Sequence, residues 1–245
     1  MSKKFILFIV EGYNDKTELE AILHTPRFAP YLEHYEPYIL PKGGDITAET
    51  GAAAKNIQKK LNEILLYFRN NGVPFRNIKV QDIHEVVQIV DLDGAFIPRE
   101  NIVRGPYSYF YYEDEAIKTS NVDGAIGRNK RKAEILRKLT EVQQVGNVPY
   151  SVYFASCNMD HLLFNRRNPP PAAKKSRAFE FKIACDKNPE CLLESIFKRG
   201  IMAEGSYAQS WVDIQAGTES LKRRTNINLF FGDSAKHPKS SGSSK

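Results

Sequence analysis

The chain is poor in the features that would place it quickly. It has three cysteines, Cys157, Cys185 and Cys191. Three cannot all pair, and none stands in C-x-x-C spacing, so neither a disulfide framework nor a zinc ribbon is supported and buried thiols in a reducing compartment are expected. Long apolar runs are absent: Phe5 to Val10, among the longest, falls far short of a bilayer span. No basic-then-apolar-then-small leader precedes it, so no membrane contact and a cytoplasmic location are expected. There is no internal repeat and no excess of one charge in the first two thirds: residues 1–160 hold 20 Lys+Arg against 21 Asp+Glu. Residues 161–245 hold 15 against 8, so the basic excess is C-terminal. Such an excess attracts polyanions, nucleic acid first among them, although a basic solvated surface needs no ligand.

What is present is an alternation of strand and helix signals. Lys4 to Val10 reads as a buried strand and Asn14 to His24 as a helix, with Asn14 or Asp15 near its N-cap. A proline-punctuated connection (26–37), a short strand (38–40), a "PKGGD" turn (41–45) and a long amphipathic helix (52–70) follow. The β-branched run Val86 to Val90 reads as a central strand buried on both faces. Beyond it come a loop rich in Pro, Gly and Tyr (96–109), a strand at 109–112, a basic helix from about Arg128 to Gln144 and a strand from Tyr150 to Ala155. This order predicts an α/β fold with a central parallel sheet flanked by helices. After Asn158 helical signals dominate; "AFEFKIAC" suits either a strand or a helix, with helix favoured. The expected organisation is a catalytic unit over 1–160, a helical basic extension over 161–232 and a disordered tail over 233–245, which has nothing to bury.

Two acidic clusters end the predicted central strands: Glu11-Gly12 with Asp15, and Asp91-Leu92-Asp93-Gly94. Residues two apart on an extended strand point the same way, so Asp91 and Asp93 are expected to face one ligand while Leu92 turns inward. If the strands are neighbours, Glu11 meets them. Carboxylates gathered without a cation repel one another, and the arrangement makes physical sense around a hard divalent ion. The alternative is a helix cap and a turn, for which the same residues are common.

These motifs, "FIVEGYND" and "IVDLDG", resemble the Toprim family, in which an apolar strand ends in Glu-Gly with an acid soon after and a later strand ends in Asp-x-Asp. The resemblance covers roughly residues 4–160 and implies a Rossmann-like Toprim fold and a nuclease, closest to the RloB, OLD and PARIS types of phage defence. It implies that Glu11, Asp91 and Asp93 are catalytic and hold magnesium (Mg2+), with manganese (Mn2+) as the alternative ion and Asp15 as the accessory acid. "YFASCNMDHLLFN" is similar to a segment that follows the corresponding strand in these nucleases, which makes Ser156, Asn158 and Asp160 accessory candidates; Asn158 also reads as an ordinary N-cap.

Candidates for gripping a phosphate backbone are Lys42 in the glycine turn, Arg128, Lys130, Arg131 and Lys132 at the start of the basic helix, and Arg166 and Arg167. Lys174, Lys175, Arg177 and the run Lys222-Arg223-Arg224 are further ones. The expected activity is magnesium-dependent hydrolysis of nucleic-acid phosphodiesters. RNA, tRNA included, is favoured over DNA because no duplex-reading module is recognisable. A homo-oligomer and an ATPase partner are compatible with the resemblance. The alternatives are a non-hydrolytic nucleic-acid-binding or regulatory module and a phosphotransfer enzyme acting on a small nucleotide.

Overall fold

The structure is a computed structural model that describes residues 3–41, 56–72, 77–189 and 197–234. Its centre is a sheet in the order β2-β1-β3-β8-β7, built from β1 (Lys4–Ile9), β2 (Tyr35–Leu40), β3 (Ile83–Asp91), β7 (Gln144–Val145) and β8 (Val148–Ser156), with β9 (Arg224–Thr225) on the far part of β8. β2, β1, β3 and β8 run parallel, whereas β7 and β9 are antiparallel to β8.

The sequence of β1 explains its central place. Every residue from Phe5 to Val10 is fully buried, and alternation splits them between two layers. Phe5, Leu7 and Ile9 join one core with α3 (Ile57–Asn71) and α4 (Val122–Glu141), through Leu61, Leu65, Phe68, Leu136 and Leu139. Ile6, Phe8 and Val10 join the other, formed with α1 (Tyr13–Leu23), α2 (Ala29–His34), α5 (Met159–Phe164), α6 (Pro171–Lys187) and α7 (Ile227–Ser234). The molecule is thus a three-layer α/β arrangement, compatible with a Rossmann-like fold. A small sheet, β4-β6-β5, lies in the connection from β3 to α4 and consists of β4 (Ile102–Arg104), β5 (Tyr111–Tyr112) and β6 (Ile117–Thr119).

The chain path fixes where a ligand belongs. The connection from β1 to β2 carries α1 on one face; the connections from β2 to β3 and from β3 to β8 carry α3 and α4 on the other. The order therefore reverses between β1 and β3, and the crevice beyond their carboxyl ends is where open α/β sheets bind ligands.

Several expectations about elements change. β2 begins at Tyr35, three residues before the predicted strand, and the connection ahead of it holds α2. The tyrosine-rich loop contains β4, and the strand after it is only Tyr111–Tyr112. The basic helix starts at Val122, six residues before Arg128, because Asn121 caps it: its side chain accepts from the Gly124 N–H at 2.9 Å. Gly124 and Gly127 hide that start, since glycine weakens any helical reading. α6 settles "AFEFKIAC" as helix. Residues 52–55, the "PKGGD" turn from Lys42 onward, Cys191 and the tail beyond 234 lie outside the described residues. Beyond residue 161 the chain returns to the sheet: β9 pairs with β8, α6 packs on α1, and Phe230 and Phe231 of α7 enter the second core.

Candidate active site

Glu11 stands two residues past the end of β1, after the buried Val10, and Asp91 is the last residue of β3, the neighbour of β1 in the sheet. The two meet: Glu11 Oε1 accepts the Asp91 backbone N–H at 3.0 Å, across 80 residues of sequence. Asp91 is held from the other side by the first residue of α5, just past β8, where the Met159 N–H donates to its Oδ1 at 2.9 Å. Asp93 does not continue the strand. It stands in a turn with φ 50°, followed by Gly94 with φ 66°, and Leu92 between the two acids is fully buried. Aspartate tolerates this left-handed region better than most residues. At Gly94 an added Cβ would also lie 2.5 Å from Leu221, so glycine is required there twice over. The turn is tied to the end of β8 by the Leu92 N–H on the Ala155 carbonyl and the Asp93 N–H on the Cys157 carbonyl, at 3.2 and 2.7 Å.

Two cations of α4 reach this cluster. Arg128 and Lys132 are four residues apart and so share a helix face. Lys132 Nζ lies 2.6 Å from Asp93 Oδ2 and 3.9 Å from Glu11 Oε1, with only 5% of its side chain exposed. Arg128 donates to the Asp93 carbonyl at 2.9 Å and to the Tyr112 hydroxyl at 3.0 Å, and the Tyr112 O–H in turn donates to Asp93 Oδ1 at 3.2 Å. Asn129 donates to the Gly94 carbonyl at 2.9 Å. These two basic residues therefore serve the acids. Their place in the helix differs from the expected one: α4 begins at Val122, so Arg128 and Lys132 lie inside it and not at its N-terminus, and Lys132 is buried.

The charges divide the two aspartates. Burial raises the Asp91 carboxyl well above its ordinary range, and the negative charges of Glu11, Asp15 and Asp93 raise it further, against the opposing pull of Lys132. Burial works the same way on Asp93, but Lys132 and Arg128 outweigh it and the carboxyl is held below its ordinary range. Burial would discharge Lys132; Asp93 and then Glu11 overcome this and keep the ammonium protonated. Asp15 is the third residue of α1, and its Oδ2 accepts the Gly12 N–H at 2.7 Å, so it caps that helix while adding its charge to the cluster. Among the described residues, no group of three or more His, Cys, Asp or Glu is placed to hold one metal ion.

The remaining candidates divide between structure and surface. Asn158 is the N-cap of α5, accepting from the His161 N–H at 2.9 Å and donating to the Arg167 carbonyl at 3.1 Å. Asp160 is buried and paired with Arg177 at 3.1 Å. Ser156 is buried and donates to the Glu219 carbonyl at 3.4 Å. Their segment contributes to the acids through its backbone, at Cys157 and Met159. Arg167 pairs with Asp114 and donates to the Leu221 carbonyl. Lys222 and Arg224 both pair with Glu219, and Arg223 donates to the Leu162 carbonyl. Lys130, Arg131 and Arg166 are exposed. Lys42 lies outside the described residues, as do the side chains of Lys174 and Lys175.

Sequence reasoning missed Tyr112, Asn129 and the true position of Lys132. A signal for the last existed in the four-residue spacing of Arg128 and Lys132; none marked Tyr112 among its neighbouring tyrosines. Fold and site together define a three-layer α/β protein with a carboxylate and lysine cluster at the switch point of its sheet. No family model, curated protein or solved structure matches the chain.

Proposed function

We propose that this chain is a magnesium-dependent nuclease of the Toprim type, hydrolysing nucleic-acid phosphodiesters with Glu11, Asp91 and Asp93. The observation that supports this most is the meeting of Glu11 with Asp91 at adjacent parallel strand ends, where the sheet order reverses. The donor set is all oxygen, which suits a hard cation, and the burial and neighbouring negative charges that raise the Asp91 carboxyl are what a cation there would offset. Among the described residues no three of the acids are grouped for one ion while the Lys132 ammonium lies between Glu11 and Asp93; with that ammonium moved aside, Glu11, Asp91 and Asp93 would hold the ion, with Asp15 as the accessory acid, and it would supply charge neutralisation and an activated water.

The chain's own groups supply the rest. The Met159 N–H and the Asp91 N–H fix one oxygen each of Asp91 and Glu11, which reduces the reorganisation needed at the strand ends. Lys132 spans Glu11 and Asp93 and neutralises part of their charge. With a cation on those acids its ammonium would be free to turn to a phosphate. RNA is the favoured polymer; phage defence and an ATPase partner belong to the same proposal.

A second reading has its own support. Lys132 already neutralises part of the cluster without a metal, as expected of a non-hydrolytic regulatory or binding module. Labelled RNA, single-stranded DNA, duplex DNA and mononucleotides incubated with magnesium distinguish the two. Strand scission by the natural chain, lost in Asp91→Asn and Glu11→Gln variants of unchanged circular dichroism, is the expected result. Binding without scission favours the second reading, and scission unaffected by both variants removes the proposed chemistry.

A further inference from the structure

The stretch from Tyr107 to Tyr112 reads Tyr-Ser-Tyr-Phe-Tyr-Tyr, and its alternate residues do different things. Phe110 lies under the Arg128 guanidinium, 4.4 Å from ring centroid to carbon, and Tyr112 bonds to Asp93 and Arg128. Tyr107, Tyr109 and Tyr111 gather into a separate cluster. Tyr107 and Tyr111 stack at 4.2 Å with 10° between their planes, and Tyr109 lies 5.5 Å from Tyr107. None of the three is buried, and Tyr109 is 58% exposed. A core role would hide these rings; here Tyr107 and Tyr111 are half-buried against each other and the Tyr109 ring is left largely in water.

We propose that Tyr107, Tyr109 and Tyr111 form a stacking platform for unpaired nucleobases, so that the polymer presented to the acid cluster is single-stranded. This deepens the nuclease reading and rests on it for the identity of the ligand. Stacking on exposed aromatics tolerates any base but needs that base free of its partner, which a duplex does not offer. The platform and the acids are coupled through adjacent residues, since Tyr111 belongs to the stack and Tyr112 touches Asp93.

Local charge suits a phosphate backbone at one end. Arg104 of β4 is exposed and bonded to the neutral Ser120 carbonyl at 3.3 Å, while the Ser120 N–H donates to the Tyr107 carbonyl at 2.7 Å. A cation thus stands next to the stack. At the other end the acids of 113–115 begin; Glu113 is matched by Lys118 at 2.7 Å and Asp114 by Arg167. The backbone is therefore directed along the Arg104 side.

The test is fluorescence anisotropy of a labelled, unstructured oligonucleotide and of its duplex, in chelator so that nothing is cleaved. The natural chain is compared with Tyr109→Ala, Tyr109→Phe and Tyr67→Ala, the last removing an exposed tyrosine of α3. Tyr109→Ala is expected to weaken single-strand binding by roughly 5- to 100-fold, the worth of about one stacked base. Tyr109→Phe and Tyr67→Ala are expected to bind as the natural chain does, and the duplex more weakly than the single strand. Equal affinity for duplex and single strand, unchanged binding by Tyr109→Ala, or a dimer that this variant splits on a sizing column would overturn the platform. Asp91-dependent scission with Tyr109→Ala binding unchanged would remove the platform alone. Tyr109-dependent binding with no scission under any divalent metal would keep the platform and remove hydrolysis.

Discussion

Asp91 is buried among acids whose charges only Lys132 opposes. A carboxyl buried among like charges weakens the folded state. Asp91→Asn keeps the oxygen that accepts the Met159 N–H and removes the charge. In chelator it is expected to melt roughly 3–8 °C above the natural chain, about 1–2 kcal/mol for a domain of this size. Addition of magnesium should stabilise the natural chain and leave the variant unmoved; differential scanning fluorimetry reads both.

Glu85 tells a different story, because burial alone raises its carboxyl from 4.5 to about 7. The folded state therefore holds a proton on Glu85 where the unfolded chain has lost it. Stability from this residue is fully present below about 4.5 and is lost as pH rises through about 7. Glu85→Gln should thus gain on the natural chain by up to roughly 3 kcal/mol between those limits in urea titrations, and by nothing below them. A constant difference across that window would contradict this placement. His161 opposes it: burial, then Arg167 and Arg223, lower its ring to about 4, so its contribution is lost as pH falls from 6.5 to that value. Its Nδ1 accepts from the Cys157 N–H, which leaves the ring proton on Nε2.

At the scale of elements, α4 is the one on which the site depends. It brings Arg128, Asn129 and Lys132 to the acids, and its position is set by the Asn121 cap. Asn121→Ala is expected to cost about 0.5–2 kcal/mol of stability, measured by chemical denaturation. What the sequence made legible follows strength of pattern. β1 is apolar from Phe5 onward and β3 carries the β-branched residues Val86, Val87, Ile89 and Val90, each strand leading into an acid, so both the strands and the meeting of Glu11 with Asp91 are readable in the sequence. α4 was read six residues short because Gly124 and Gly127 interrupt its first turns. The site's lysine was misplaced for the same reason, since a helix beginning at Arg128 would have put Lys132 near an exposed terminus. Asp93 was expected to extend the strand; its left-handed φ is a turn property that Asp-Gly permits but does not announce. Asn158 illustrates the converse, with its N-cap reading realised and the side chain consumed by it.

For the whole molecule, the C-terminal stretch matters more than its basic composition suggests. Thr225 donates to the Phe154 carbonyl and Asn226 accepts the Phe154 N–H, both buried, while Phe230 packs edge-on against Phe8 of β1 at 5.6 Å. Residues after 161 thus share the core of the sheet that carries the acids. Phe230→Ala should cost about 3–5 kcal/mol and lower the midpoint of a single unfolding transition; loss of a separate, earlier transition with the sheet unaffected would contradict a shared core. The same shared core places β8, and through Met159 and Cys157 the acids themselves, under the control of the chain's last described helix. The most direct measurement of the central claim is calorimetric titration of manganese into the metal-free natural chain and into its Asp91→Asn variant. Saturable binding by the natural chain, weakened at least tenfold in the variant, is the result the acid cluster predicts. Equal binding by both chains, or none by either, would contradict a metal centre at Glu11, Asp91 and Asp93.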